Sequence, residues 1–292
     1  MSEALSGATR VHFIVGDPIA QVKSPAGVTQ AFHDAGRNAV CIPAHVSPAD
    51  LALWAQGVSL AQNVDGIIVT VPHKFSCFDL CATTSERAAF LKAVNTLRRN
   101  ADGSWHGDMF DGMGYVEAMR AKGCEPKGQR ALLVGAGGAG SAIAYSLVTG
   151  GVRELAIHDP DTVRRDNLIA SLAGLGLGQV SAGSSDPTGF DIAINATPIG
   201  MKDGDPHPID STKFNASQFV GCVITAPAVP PMVAAARAKG CNTLTGADMF
   251  ARVRDLMVQF LLEDTAPPRS SLRVFTAPQG GEASLEAARR EA

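Results

Sequence analysis

The sequence predicts an α/β protein organised as two domains, one mainly parallel and one doubly wound. Apolar, β-branched runs alternate with helix-like segments on both sides of residue 110. The second alternation opens on a strand, a glycine turn and a helix in immediate succession at 130–151. A length of 292 residues has room for two modest cores.

The elements follow in order. RVHFIVG (10–16) reads as a buried strand ended by glycine. SPAGVTQAFHDAG (24–36) reads as a helix with Ser24 as N-cap, Pro25 in the first turn and Gly36 as stop. AVCIPAHV (39–46) is a second strand, and SPADLALWAQG (47–57) a second helix, again opening Ser-Pro. VDGIIVTVP (64–72) is continuous and β-branched, as a strand covered on both faces would be. DGMGYVEAMRAKG (111–123) reads as a connecting helix. Beyond the glycine turn, RELAIHD (153–159), a helix at 162–173, GFDIAINATP (189–198), FVGCVITAP (219–227) and PPMVAAARAKG (230–240) continue the alternation. The pattern is helical from Gly246 to about Leu262, and the Pro-, Ser- and Gly-rich stretch after Thr265 reads as a tail with a frayed helix at 282–291.

Composition excludes several classes. A net charge of −3 and 5% aromatic residues give no footprint for nucleic acid. No apolar run is long enough to span a bilayer, and MSEALSGATR lacks the pattern of a secretory leader, so a cytoplasmic protein is expected. The six cysteines form no C-x-x-C pair and no zinc-like spacing with histidine, so free thiols and no metal are expected.

Gly135-Ala136-Gly137-Gly138-Ala139-Gly140 matches G-x-G-x-x-G between the strand ALLV and a helix. The first glycine permits the tight turn, the second lets a pyrophosphate approach the backbone, and the third brings helix and strand together. The helix N-terminus then offers free N–H groups to the phosphates. Asp159 ends the next strand, where a carboxylate would accept ribose hydroxyls and repel a 2′-phosphate. NAD is therefore expected, and NADP is less favoured, with Arg164 and Arg165 as the cations that could reverse the preference. Asp159 also reads as a cap of the following helix.

Oxidation of a secondary alcohol needs a group that accepts the hydroxyl proton. Lys74 closes the run Thr70-Val71-Pro72-His73-Lys74 at a strand end, where open α/β sheets bind ligands. Asp111, at the start of the connecting helix, is placed to orient its ammonium. Taken singly, Lys74 is equally a solvated loop residue and Asp111 a helix cap.

Taken together, GDPIAQVKSP (16–25), VTVPHK (69–74), AVNTL (93–97), GDMFDG (107–112), GAGGAG (135–140), NATPIGM (195–201) and GADMF (246–250) resemble the shikimate/quinate dehydrogenase family over roughly residues 10–262. The resemblance implies Lys74 and Asp111 as the catalytic pair, Ser24, Thr70 and Asn95 as substrate contacts, and Asn195, Ala196, Thr197 and Pro198 beside the cofactor. It implies a substrate-binding domain over 1–110, completed by helices within 246–292, and a Rossmann-type dinucleotide domain over 111–245. A monomer or homodimer acting on a small molecule is expected.

The family pattern is broken at several polar positions. A serine of the first loop is Val22, an asparagine before Val69 is Ile68, and Met109 and Phe110 replace polar residues of G-D-N-T-D-G. An expected tyrosine aligns with Thr225 and an expected glutamine with Val253. Each buried polar group left unpaired costs about 1–3 kcal/mol. A pocket with Val22, Ile68, Met109 and Phe110 is thus expected to suit a less hydroxylated or aromatic substrate better than shikimate. The arginine-bearing loop that grips a 2′-phosphate aligns with Asp159-Pro160-Asp161, again favouring NAD.

Overall fold

The structure is a computed structural model that describes residues 5–263. The tail after Thr265 and the helix expected at 282–291 lie outside the described residues.

The first half contains β1 (Arg10–Gly16), α1 (Ser24–Asp34), β2 (Ala39–His45), α2 (Leu51–Leu60), β3 (Val64–Val69), β4 (Thr83–Thr84), α3 (Glu86–Leu91), β5 (Thr96–Arg99) and β6 (Trp105–Asp108). Their six strands form one sheet in the order β2-β1-β3-β5-β6-β4. The β1, β2 and β3 strands are parallel, whereas β5 runs antiparallel to both β3 and β6. The sheet is therefore mixed. Strand alternation alone suggested only the parallel part, because β4, β5 and β6 are too short to show a period.

Alternate residues of the central strands enter opposite layers, as a period of two requires. Ile14 and Ile68 pack in the core with Val28 and Phe32 of α1. Val15, Ile67 and Val69 pack in the core with Leu51 of α2, with Trp54 and Val58 against them. The second helix begins at Leu51 rather than at the Ser-Pro pair. Ser47 Oγ instead closes a turn, accepting from the Asp50 N–H at 3.3 Å and donating to its carboxylate at 2.7 Å.

The second half comprises β7 (Arg130–Val134), α5 (Gly138–Thr149), β8 (Glu154–His158), α6 (Thr162–Ala173), β9 (Gln179–Ala182), β10 (Ile192–Asn195), β11 (Phe219–Cys222), α7 (Pro231–Ala238) and β12 (Asn242–Leu244). They build an all-parallel sheet in the order β12-β11-β10-β7-β8-β9. Val134 is level with both His158 and Asn195, so the loops after β7, β8 and β10 emerge side by side at one edge.

Two helices link the halves. The connecting helix α4 (Asp111–Ala121) crosses α5 so closely that a Cβ at Gly112 would lie 1.9 Å from the Ala142 carbonyl oxygen. A Cβ at Gly114 would lie 2.5 Å from Val253 of the last helix, α8 (Gly246–Leu262). That helix starts against Ile224 of the second half and ends with Leu261 against Gly66 of the first. Its Thr245 cap makes a reciprocal capping box with Asp248.

Candidate active site

The loop after β3 and the glycine turn after β7 face one another, Phe75 Cε2 lying 4.0 Å from a Cβ built at Gly138. On the first sheet, Val15 pairs with Val69, so Gly16 and Thr70 leave the sheet together. Antiparallel β5 then brings Asn95 beside them, its carbonyl accepting from the Val69 N–H at 2.7 Å. The Lys74 carbonyl accepts from the Val94 N–H at 2.9 Å, which ties the loop after β3 to the same edge. Peptide bonds Asp17–Pro18 and Val71–Pro72 in these loops are cis.

Lys74 and Asp111 meet there. Lys74 Nζ donates to Asp111 Oδ2 at 2.5 Å, and their side chains are 17% and 8% exposed. Asp111 Oδ1 accepts from Asn95 Nδ2 at 2.8 Å. Asn95 Oδ1 in turn accepts from the Phe110 N–H at 3.0 Å and the Thr96 hydroxyl at 3.1 Å. One buried amide thus orients the carboxylate and secures the first turn of α4. Ser24 is the first residue of α1, with Lys23 in the cap position and no side-chain cap bond. The sequence reading of Ser24 as N-cap is therefore corrected by one residue. Neither the Ser24 nor the Thr70 hydroxyl has a hydrogen-bond partner among the described residues, which leaves both free for a ligand.

Across the cleft, the glycine turn meets each geometric demand of a pyrophosphate cradle. Gly135 has φ +105°, a conformation that favours glycine. No atom lies within 4 Å of a Cβ built at Gly137, so its outer face is open. A Cβ at Gly140 would lie 1.9 Å from the Gly135 carbonyl oxygen, so helix and strand touch there. Gly138 and Ala139 form the first turn of α5, with Gly137 as its cap. Asp159 is 5% exposed and braces the turn, Oδ2 accepting from the Ala136 N–H at 2.7 Å and Oδ1 from the Asp161 N–H at 2.9 Å. Capping of α6 falls instead to Asp161, which accepts from the Arg164 N–H at 3.0 Å. The Arg164 guanidinium is held by Asp161 at 2.8 Å and stands 3.9 Å from Asp159.

The third wall is the loop after β10. Asn195 Oδ1 accepts from the N–H and hydroxyl of Thr197 at 2.9 and 2.7 Å, and Nδ2 donates to the Ile199 carbonyl at 3.2 Å. Ala196 and Thr197 thereby close over Gly135, both within 3 Å of a Cβ built there, and Pro198 is exposed. Phe75, adjacent to Lys74 and 54% exposed, reaches across: its Cε2 is 4.0 Å from a Cβ built at Gly138. The lysine loop and the glycine turn are therefore near neighbours in space. The sequence reading missed Phe75, and no local signal marks it.

The chain is similar to known proteins in both sequence and fold. Residues 14–97 match the shikimate dehydrogenase substrate binding domain, and residues 125–172 match the ThiF family. A shikimate dehydrogenase (NADP(+)) of Rubrobacter xylanophilus is 34% identical over 252 residues, covering 84% of this chain and 88% of its own. The chain belongs to the shikimate/quinate dehydrogenase family. Among solved structures, the 5-ketofructose reductase of Gluconobacter sp. strain CHM43 has a TM-score of 0.79 at 28% identity, over 87% of this chain and 93% of that one. The quinate dehydrogenase of Corynebacterium glutamicum in complex with NAD has a TM-score of 0.78 at 28% identity, over 87% and 94%. The protein is thus an oxidoreductase, an NAD(P)-dependent dehydrogenase of this family.

Three of the apolar replacements sit in the packed cores of this dehydrogenase. Ile68, Met109 and Phe110 are at most 4% exposed and belong to the cores. Phe110 packs edge-on to Phe260 at 5.3 Å beneath the Arg87 guanidinium, which is 5.0 Å from its centroid. Its ring is engaged in helix packing at the edge of a small cavity that Arg98, His106 and Leu256 also line. Val253 is 5% exposed against Gly114, and Thr225 is exposed. Val22 remains as the half-buried apolar residue of the cleft loop. Burial pushes the Cys41, Cys77, Cys81 and Cys124 thiols up to about 12, so these four are poor nucleophiles. Among the described residues no helix is long and apolar enough to cross a membrane.

Proposed function

We propose that the protein interconverts a secondary alcohol and its ketone, with NAD preferred as dinucleotide. The substrate class we assign is a cyclic hydroxy acid or a related, less polar compound. In this reading residues 1–110, completed by α8, hold the substrate and residues 111–245 the dinucleotide. The observation that carries it is the Lys74–Asp111 pair at 2.5 Å on the loop that touches the glycine turn.

The dinucleotide, when bound, supplies hydride acceptance and donation. Residues of the glycine turn, from Gly135 to Gly140, would hold its phosphates, with Asp159 at the ribose and Asn195–Pro198 beside the ring. Lys74 takes the hydroxyl proton at Nζ as the alcohol is oxidised and returns it in reduction. Asp111 keeps the lysine aimed and balances the charge. Ser24 and Thr70, with unused hydroxyls, anchor the substrate's own polar groups. Asn95 acts by holding Asp111, since its amide is already engaged there.

Two findings support NAD. The end of β8 offers the carboxylates of Asp159 and Asp161 where a 2′-phosphate would bring negative charge, and Arg164 is already held by Asp161. Val22 supports a substrate other than shikimate, since an apolar side chain leaves a buried carboxylate unpaired. Likeness to a 5-ketofructose reductase is consistent with that departure.

Steady-state rates on shikimate, quinate, simpler hydroxy acids and uncharged cyclic polyols, each with NAD and NADP, test the reading. The expected result is a higher kcat/KM with NAD and poor turnover of shikimate. Preference for NADP and shikimate would instead make this an ordinary shikimate dehydrogenase. Lys74→Ala should lower kcat at least about 100-fold, with the native circular dichroism spectrum retained. Near-native turnover by that variant on the best substrate would remove the lysine from the mechanism.

A further inference from the structure

Phe75 takes no part in moving the proton, yet the loop after β3 holds it firmly. Buried residues pin that loop on both sides of the ring. His73 is buried with Nε2 2.8 Å from the Val46 carbonyl oxygen, and Cys77 is buried in the core of the first half. The Cys77 N–H donates to the His73 carbonyl at 2.8 Å, and the Phe78 N–H to the Phe75 carbonyl at 3.0 Å. Between those anchors the chain presents Lys74 to Asp111 and Phe75 to the glycine turn.

Position selects what the ring meets. A Cβ built at Gly137 meets no atom within 4 Å. One built at Gly138 meets only the Phe75 ring, apart from its own helix and chain neighbours. The outer face of the cradle is thus open except where this one side chain overlooks it. A pyrophosphate belongs at the N-terminus of α5, and the carbon that exchanges hydride belongs beside Lys74. Consecutive Cα atoms are about 3.8 Å apart, so Phe75 flanks the stretch that joins those two points. In a dinucleotide that stretch is the ribose on the nicotinamide side.

We infer that Phe75 is a dinucleotide contact supplied by the first half, its ring packing on the nicotinamide ribose. The inference rests on the dinucleotide reading above and adds to it a contact from the half that holds the substrate. A phenyl ring has no hydrogen-bonding group, so it leaves the free N–H donors of α5 to the pyrophosphate. Its electron-rich face suits the C–H groups of a sugar. A loop already fixed by buried anchors loses little freedom when the contact forms. Because Phe75 adjoins Lys74, a ring resting on the ribose also sets the lysine in register with the nicotinamide.

Isothermal titration calorimetry on the full chain with ADP, ADP-ribose and NAD tests the contact. ADP stops at the pyrophosphate, ADP-ribose adds the second ribose, and NAD adds the nicotinamide. Phe75→Ala should raise Kd for NAD and ADP-ribose about 10-fold and change it for ADP by less than about twofold. Phe75→Leu, which keeps an apolar side chain, should lose less. Unchanged NAD affinity in Phe75→Ala would overturn the inference. Tighter binding would also overturn it, since the ring would then obstruct entry. So would an equal loss on ADP, which would place the damage in the glycine turn. A wild-type chain that binds none of the three would refute the dinucleotide site itself, and the contact would fall with it.

Discussion

At the scale of single residues, two buried polar side chains make opposite contributions. Asn95 is 2% exposed and joins Asp111, the Phe110 N–H and Thr96. Asn95→Ala would leave a buried N–H without an acceptor and a carboxylate with one partner fewer. It should cost about 1–3 kcal/mol in urea unfolding and lower kcat by more than it raises KM. An effect on KM alone would instead make Asn95 a substrate ligand. His12 is 3% exposed, packed 4.4 Å from the Phe32 ring, and neither ring nitrogen has a partner among the described residues. Burial, outweighing the favourable pull of Asp65, lowers its pKa from 6.5 to about 4. Between those values the unfolded chain binds the proton and the folded one does not, so stability is greatest above pH 6.5 and declines as pH falls toward 4. Near pH 5 the loss amounts to about 2 kcal/mol. Urea unfolding of His12→Leu at pH 7.5 and 5 should show a drop smaller by about that amount. Equal drops in the two proteins would place the acid sensitivity elsewhere.

At the scale of elements, α4 shows where packing overrides anything local. Tyr115 is fully buried with its hydroxyl unpaired, and a Cβ at Gly221 would fall 1.8 Å from that oxygen. Removing an unpaired buried hydroxyl removes its desolvation cost, so Tyr115→Phe should be neutral or stabilising by up to about 1 kcal/mol. A clear loss of stability in thermal unfolding would show that the hydroxyl has a partner, such as an internal water. Long periodic elements were readable in advance: α6 spans Thr162–Ala173, as its pattern indicates, and β7 with the glycine turn follows from residue type alone. Two-residue β4, four-residue β5 and β6, and the edge strands β9 and β12 were not, because two to four residues carry no usable period. The candidate site divides the same way. Gly135, Gly140 and Asp159 answer backbone demands that leave a mark in sequence. The hold of Asn95 on Asp111 depends on β5 running antiparallel, and the reach of Phe75 to Gly138 depends on two halves meeting. Residues 109 and 110 show a related effect: they adjoin Asp111 in sequence, yet both side chains are buried in packed cores.

At the scale of the whole molecule, two sheets with separate strand orders are joined through α4 and α8, both of which have backbone-close contacts with other elements. Such contacts cannot slacken by a small shift, so loss of one half should strip the other of its cover. The chain provides its own reporters. Both tryptophans, Trp54 and Trp105, lie in the first half, whereas the glycine turn lies in the second. A ligand that binds only the folded protein stabilises it by RT ln(1 + [L]/Kd), about 2.7 kcal/mol at a hundredfold excess over Kd. If the halves unfold together, NAD at that excess should shift the tryptophan-fluorescence transition in urea by the full amount. The shift should equal that seen by circular dichroism, with both transitions coinciding before and after addition. If the halves are independent, the fluorescence midpoint should stay put while only part of the dichroism signal moves. Coincident shifts would also establish that dinucleotide binding at one sheet is felt at the other.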